Sequence, residues 1–373
     1  MSPDDASYRA AGVDYDALDA GKRLAMASAL ATSGLMAGRG GRAIDASRGE
    51  PAFLFELDGR SLAFVVEGLG TKSVIARQVL EGQGHDRFAD VAYDTVAAIL
   101  NDLCCVGALP LVVNAYFATG SSDWYRQEAR SRSLLEGWQR ACIDAGCTWG
   151  GGESPSLAGL VSSEEIELAG AAVGALPAGR EPILGGALAA GDEIVLVASS
   201  GLHANGASLA RLIAGRLPQG YATPLPDGQS FGEALLAPTV MYVPLIAALH
   251  ERELPISYLS HITGHGLLKL MRASRELAYR IERLPEVPPV LAFLVEQAGL
   301  DTQAAYMTFN MGAGFAVYCA AGSGEAVVGV ARELGLDAQV AGMVEEGPRR
   351  VVLDPVGVAY EGSQLELSVS TSA

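Results

Sequence analysis

The sequence predicts an α+β protein of two domains, each a sheet layered with helices, and three observations carry that prediction. The chain has 373 residues, more than one typical hydrophobic core organises. Strand-like runs in both halves are joined mainly by tight turns, which favours sheet-against-helix layers over a doubly wound parallel sheet. A composition break at Pro177-Ala178-Gly179-Arg180-Glu181-Pro182 divides two stretches in which the strand and helix pattern starts afresh. The boundary is expected near 176, giving domains 1–176 and 177–373.

In chain order, residues 16–38 are expected to be a helix, with Leu24, Ala27, Ala31 and Leu35 along one face. Gly38-Arg39-Gly40-Gly41-Arg42 reads as a flexible loop. Strands follow at 51–56 and 61–66, joined by Asp58-Gly59, a strong hairpin signal. Val91, Val96, Ala97, Leu100 and Leu103 recur at helical spacing and predict one long helix over 88–106. Leu109–Ala118 is a predicted strand, 126–146 a helix, Thr148–Glu153 a strand ending in glycines, and Ile166–Val173 another strand. In the second half, strands are predicted at Glu193–Ala198, Leu277–Ile281, Gly314–Ala320 and Ala338–Val344. Helices are predicted at 204–214, 230–251, 264–273 and 287–299, and the end, Ser-Val-Ser-Thr-Ser-Ala, is expected to fray.

Half the residues are hydrophobic, so both domains can bury a core. The formal net charge of −17 opposes nucleic acid or an acidic membrane as partner, so any phosphate site must be local. No apolar run is long enough to span a membrane, and Met1-Ser2-Pro3-Asp4-Asp5 lacks the basic-then-apolar order of a secretory signal. The cysteines Cys104, Cys105, Cys142, Cys147 and Cys319 form no C-x-x-C pair, which predicts reduced thiols and a cytoplasmic protein.

The richest stretch is Ala63-Phe64-Val65-Val66-Glu67-Gly68-Leu69-Gly70-Thr71-Lys72, an apolar strand running into an acid, two glycines, a hydroxyl and a lysine. Gly68 and Gly70 let the backbone approach a bulky anion, and Thr71 with the following amides can donate to phosphate oxygens. Lys72 would add a point charge, and Glu67 is a hard oxygen ligand for magnesium. The plain alternative is a glycine-rich turn with a solvated lysine. Asp94, Asn101 and Asp102 share one face of the predicted long helix and make a second oxygen set. Asp102 sits among Leu100, Leu103, Cys104 and Cys105, where an unpaired carboxylate would be costly to bury.

Gly150-Gly151-Gly152-Glu153 is a strand end suited to a metal-bound phosphate. Ser199-Ser200-Gly201-Leu202-His203-Ala204-Asn205-Gly206 opens a helix, with His203 and Asn205 at its positive end. Ser260-His261-Ile262-Thr263-Gly264-His265-Gly266 precedes another.

These motifs, in this order, resemble the aminoimidazole ribonucleotide synthetase (phosphoribosylformylglycinamidine cyclo-ligase) family. The match runs from Ser7-Tyr8-Arg9-Ala10-Ala11-Gly12-Val13-Asp14 through the Gly-x-Gly-Thr-Lys turn and Asn101 to Pro110. It continues through Tyr116-Phe117-Ala118-Thr119-Gly120 and ends at Thr308-Phe309-Asn310. The resemblance implies an ATP-dependent ring closure that converts formylglycinamidine ribonucleotide to aminoimidazole ribonucleotide in purine biosynthesis. It implies catalytic Lys72, Asp102 and His261, the last as proton-transfer group. It implies ATP or substrate contacts at Gly68, Gly70, Thr71, Asn101, Gly151, Gly152, His203, Asn205 and Thr263. Magnesium would be held by Glu67, Asp94, Asp102 and Glu153, with K+ a further candidate ion. A homodimer is implied in which the N-terminal sheets of two chains form one β-barrel and a helix-covered sheet follows in the C-terminal domain.

The departures lie on the substrate side. Val66-Glu67 stands where the family has Thr-Asp, Gly38–Ile44 replaces a substrate loop, and Ser154–Gly159 differs from the usual run. His265 replaces a glycine and Met307 an arginine. Arg39 or Arg42 is expected to close over the ribonucleotide phosphate and compensate for the arginine missing at Met307, the plain alternative being a solvated loop. Two other readings stand beside the ligase: a superfamily paralogue phosphorylating a different amide or phosphate substrate, and a non-catalytic nucleotide-binding homologue.

Overall fold

Alternation along the strands Arg60–Gly68 and Leu109–Thr119 sets the architecture of the first half. Ala63, Val65, Val113, Ala115 and Phe117 turn to one side and are buried, whereas Phe64, Val66, Leu111 and Tyr116 turn to the other and remain exposed. The structure, a computed structural model, describes residues 15–365; the Ser7–Asp14 motif and the final residues 366–373 lie outside them. The first sheet contains β1 (Gly41–Ile44), β2 (Phe53–Leu57), β3 (Arg60–Gly68), β4 (Leu109–Thr119), β5 (Thr148–Glu153) and β6 (Ile166–Ala175). Its order is β1-β2-β3-β6-β4-β5, antiparallel except for β4 against β5. Within one chain the sheet ends at β1 and β5 and does not close on itself.

The buried face is covered by α3 (Phe88–Cys104), which packs against β3, β4 and β6, and by α4 (Glu128–Ala145) beside it, whose Trp138 meets Phe117 of β4. That double contact explains why α3 is apolar nearly all round. It also touches the second domain through α7 (Val243–Glu251) and β8 (Ile256–His261).

The second sheet adds β7 (Glu193–Ala198), β9 (Leu277–Ile281), β10 (Ala313–Cys319), β11 (Ala338–Glu346), β12 (Arg350–Leu353) and β13 (Val358–Glu361). Its order is β13-β12-β9-β11-β7-β10-β8, with only β9 and β12 parallel. Every residue of β10 is buried, as expected of a strand inside a sheet covered on both faces. The remaining helices are α1 (Tyr15–Leu30), α2 (Lys72–Gln83), α5 (Ala207–Ala214), α6 (Phe231–Leu235), α8 (Pro289–Ala298), α9 (Thr302–Thr308) and α10 (Gly324–Glu333). Two mixed sheets with helices give the α+β class that the hairpin pattern predicts.

Several expectations need correction. The helix expected over 16–38 stops at Leu30; a 3-10 segment, Ser33–Arg39, follows a turn at Ala31-Thr32, where the Thr32 hydroxyl donates to the Ala29 carbonyl. The glycine- and arginine-rich loop is instead divided between the end of that 3-10 segment, Gly38-Arg39, and β1, which starts at Gly41 in register with β2, and Arg42 lies opposite Glu56 and pairs with it. The helix expected over 230–251 divides into α6 and α7, because Pro238 lacks an amide and Pro244 fits only a helix start. The helix expected over 264–273 is a buried 3-10 turn, Gly266–Met271. The helix α2 and the strand β8 occupy segments to which the sequence reading assigns no element.

Candidate active site

A cleft of about 810 Å³ lies between the two domains. The first domain contributes Gly49–Pro51, the turn Glu67–Thr71, and Ala98 and Asp102 of α3. The second contributes Ala204–Ser208, His261, Thr263–His265, Lys269 and Arg272, and α1 adds Ala25, Met26 and Ala29.

The turn at 67–71 is fixed by its backbone. The Leu69 amide donates to the Leu168 carbonyl at 2.8 Å, and Gly70 has φ +70°, a conformation that strains a side chain. Thr71 then leads into α2, whose first amides have no intrahelical acceptor and can serve an anion. The Thr71 hydroxyl lies 3.2 Å from that of Ser208 in α5, so the turn and the opening of α5 form one wall from both domains.

Asp102 and His261 face each other across the domain boundary. The His261 Nδ1–H donates to Asp102 Oδ1 at 2.6 Å, and Nε2 is buried without a hydrogen-bond partner among the described residues. Burial pushes the Asp102 carboxyl up, but His261, with Lys269 and Arg272, outweighs it and holds the group below the usual range. Glu67 goes the other way: burial first, then the Asp102 charge, raise it to about 7 despite Lys269 and Arg272. Two carboxylates that oppose each other's ionisation fit a hard divalent cation.

Of the residues singled out from sequence, Glu67, Gly68, Gly70, Thr71, Asp102, Asn205, His261, Thr263 and His265 line the cleft. The others do not. Lys72 is fully buried; its Nζ lies 2.5 Å from Asp94 Oδ2 and donates to the His203 carbonyl at 2.8 Å. Asp94 is thereby spent on Lys72 and on the Thr239 amide, so neither is available to metal or phosphate. The Asn101 side chain donates to the Val240 carbonyl and accepts from the Tyr242 amide, tying α3 to the second domain. His203 is buried, its Nε2 accepts from the Ser200 amide, and burial holds it well below the usual imidazole range, so it stays neutral. Gly151, Gly152 and Glu153 belong to β5, away from the cleft; a Cβ on Gly152 would meet the Ala115 carbonyl at 2.1 Å, so that glycine serves strand pairing. Arg39, Arg42 and Met307 do not line the cleft either.

Sequence reasoning missed Glu50, Ser208, Lys269 and Arg272. The signal for the last two was a lysine and an arginine inside the apolar run Leu267-Leu268-Lys269-Leu270-Met271-Arg272. Burial and the Arg272 charge push Lys269 down to about 8, against the pull of Asp102.

Fold and cleft together define a class: a two-domain α+β protein whose ligand site lies between a glycine turn and helix start on one side and an acid–histidine pair on the other. The chain belongs to the AIR synthase related protein family. The family's N-terminal domain model matches residues 49–176 and its C-terminal domain model residues 189–354. Among similar proteins, a phosphoribosylformylglycinamidine cyclo-ligase of Anaeromyxobacter sp. is 34% identical, covering 91% of this chain and 96% of the relative. One from Methanobrevibacter smithii is 30% identical over 87% and 90%. Solved structures with the same fold include the E. coli hydrogenase maturation protein HypE, at TM-score 0.57 and 20% identity, covering 84% of this chain and 87% of that one. AaThiL complexed with AMPPCP and TMP aligns at TM-score 0.55 and 17% identity, over 84% and 90%.

The buried Lys72 generates a prediction about folding. Lys72→Met leaves the Asp94 charge buried without its counterion and is expected to cost about 3–5 kcal/mol. Urea denaturation should show the loss, and Lys72→Met with Asp94→Leu should recover most of it. A single variant as stable as wild type would contradict the clasp.

Proposed function

We propose that this protein is an ATP-dependent cyclo-ligase that closes the imidazole ring of formylglycinamidine ribonucleotide, releasing ADP and phosphate. The observation that carries the reading is the match over about nine-tenths of the chain to relatives named as that enzyme, at 30% and 34% identity. What supports it in the cleft is the acid–histidine pair beside an anion-accepting helix start.

In this reading ATP phosphorylates the formyl amide oxygen, the amidine nitrogen attacks that carbon, and phosphate departs. The α2 amides and Thr71 bind phosphate oxygens, and Asn205 and Thr263 orient the ligands. Glu67 and Asp102 would hold Mg2+, which neutralises charge on the transferring phosphoryl group when bound. Asp94 and Glu153 have no part in that set. Asp102 fixes the tautomer of His261, leaving Nε2 to take the proton that the amidine nitrogen loses. Because Asp102 and His261 come from different domains, the site is complete only when the two are closed on each other.

The exposed apolar residues Phe64, Val66, Leu111 and Tyr116 are read as the contact with a second copy, in which two N-terminal sheets close into a barrel. The domain division is placed at 176, just after β6, and the reaction in the cytoplasm, in keeping with the free thiols at all five cysteines. Light scattering should report a dimer, and Phe64→Glu with Val66→Glu should report a folded monomer. A wild-type monomer would refute the contact.

Turnover of formylglycinamidine ribonucleotide with ATP and Mg2+ tests the function, with K+ and Na+ buffers compared for a monovalent-ion requirement. Asp102→Asn should lower kcat by about a hundredfold or more without loss of fold. The apparent affinity for Mg2+ should fall as pH drops through 7, since Glu67 must lose its proton to bind the ion. Activity of Asp102→Asn within a few-fold of wild type, or no turnover at all by wild type, would refute the assignment.

A further inference from the structure

We propose that Lys269 and Arg272 form the subsite for a phosphate monoester, the 5′-phosphate of the second substrate, on the wall that the 3-10 turn Gly266–Met271 brings to the cleft. The assignment rests on the cyclo-ligase reading only for the identity of the ribonucleotide; the chemistry of the subsite stands on the side chains.

Positive charge is sparse in the cleft. Among the described residues that line the cleft, Lys269 and Arg272 supply the only lysine and arginine side chains. Lys72, the cation that the glycine turn suggests from sequence, is sealed behind the cleft by Asp94 and the His203 carbonyl. Arg42 is paired with Glu56 on the first sheet. A cleft that takes a nucleoside triphosphate and a nucleotide monoester must counter two separate anions. The acid pair Glu67 and Asp102 recruits a cation for the polyphosphate, so the monoester needs its own partner.

Lys269 has the construction of such a partner. It is 9% exposed, held in the buried 3-10 turn between Leu268 and Leu270. Its backbone is fixed by the Ser260 hydroxyl, which donates to the Lys269 carbonyl at 2.9 Å. The Nζ itself makes no hydrogen bond or close ion pair among the described residues. A nearly buried ammonium left in that state is costly, and an anionic ligand relieves the cost. The acids that act on it, Asp102 and Glu67, are the ones that a bound divalent ion would neutralise, which leaves Lys269 freer for an incoming anion.

Arg272 is pinned beside it. Its Nε and Nη2 donate to the Gly49 carbonyl at 3.2 and 2.7 Å, and Nε lies 3.8 Å from Glu50 Oε2. Glu50 is in turn held by the Tyr258 hydroxyl at 2.9 Å. The guanidinium is therefore oriented before any ligand arrives, with Nη1 uncommitted among the described residues. A point charge beside a fixed planar fork suits a terminal phosphate dianion. Arg272 also ties the end of the 3-10 turn of the second domain to Gly49 and Glu50, so occupancy of the subsite couples to closure of that side.

Calorimetric titration of the full chain, in Mg2+, with ribose 5-phosphate and separately with AMPPCP tests the subsite. Wild type should bind ribose 5-phosphate and not ribose. Lys269→Met and Arg272→Gln should each weaken ribose 5-phosphate by about tenfold or more while AMPPCP stays within about twofold. Lys269→Arg, which keeps the charge, should restore monoester binding in a folded protein even if Lys269→Met folds poorly. Unchanged monoester affinity in folded variants, no monoester binding by wild type, or loss confined to AMPPCP would overturn the proposal. Turnover of formylglycinamidine ribonucleotide is a separate readout: its absence with the monoester result intact refutes the cyclo-ligase reading and leaves the subsite standing.

Discussion

A fully buried ammonium holds the two domains in register behind the cleft. Lys72 leaves the first turn of α2, meets Asp94 of α3, and donates to the carbonyl of His203 in the second domain. Asp94 in turn accepts from the Thr239 amide, also in the second domain. Such a pair does little for stability compared with apolar residues of the same shape, yet losing one partner is expensive, so it fixes one relative placement of the domains. Everything at the cleft depends on that placement. Asp102 and Asn101, two turns along α3 from Asp94, reach His261 and the Val240–Tyr242 segment only because α3 is locked against the second domain.

The clasp also redistributes charge. A lysine next to a Gly-x-Gly-Thr turn reads naturally as a phosphate ligand, and its residue type is right for that. Here the side chain points inward, and the cleft is left with Lys269 and Arg272, contributed by a 3-10 turn after β8. Acids gather on α3 and at the end of β3, cations on the wall from 266 to 272. The first set suits a metal-bound polyphosphate and the second a simple anion.

The strands of the first domain were legible because hairpins write themselves locally: Asp58 and Gly59 both take positive φ between β2 and β3. The long helix α3 was legible from its apolar spacing. Where the reading went astray, the cause was nonlocal. Nothing near Lys72 in sequence says that Asp94 will neutralise it, since that contact exists only after α2 and α3 pack. Gly151 and Gly152 look like phosphate glycines, yet the close approach of β4 explains Gly152. Asn310, legible as part of a motif, works by clasping Ser199 and the Gly201 carbonyl beneath the 199–206 turn. The strand β8 was missed because Ser257 and Ser260 interrupt its apolar run and are satisfied only inside the fold. The Asp102–His261 pair was present in sequence as two separate candidates, and folding joined them.

In the proposed reading the divalent-ion site sits on Glu67 and Asp102, between the domains, and not on the wider acid set suggested by sequence. Crystals grown with Mn2+ and AMPPCP would locate the ion directly by anomalous scattering. The account predicts a peak within coordination distance of Glu67 and Asp102, with Asp94 still paired to Lys72. A peak on Asp94, with Lys72 released into the cleft, would contradict it.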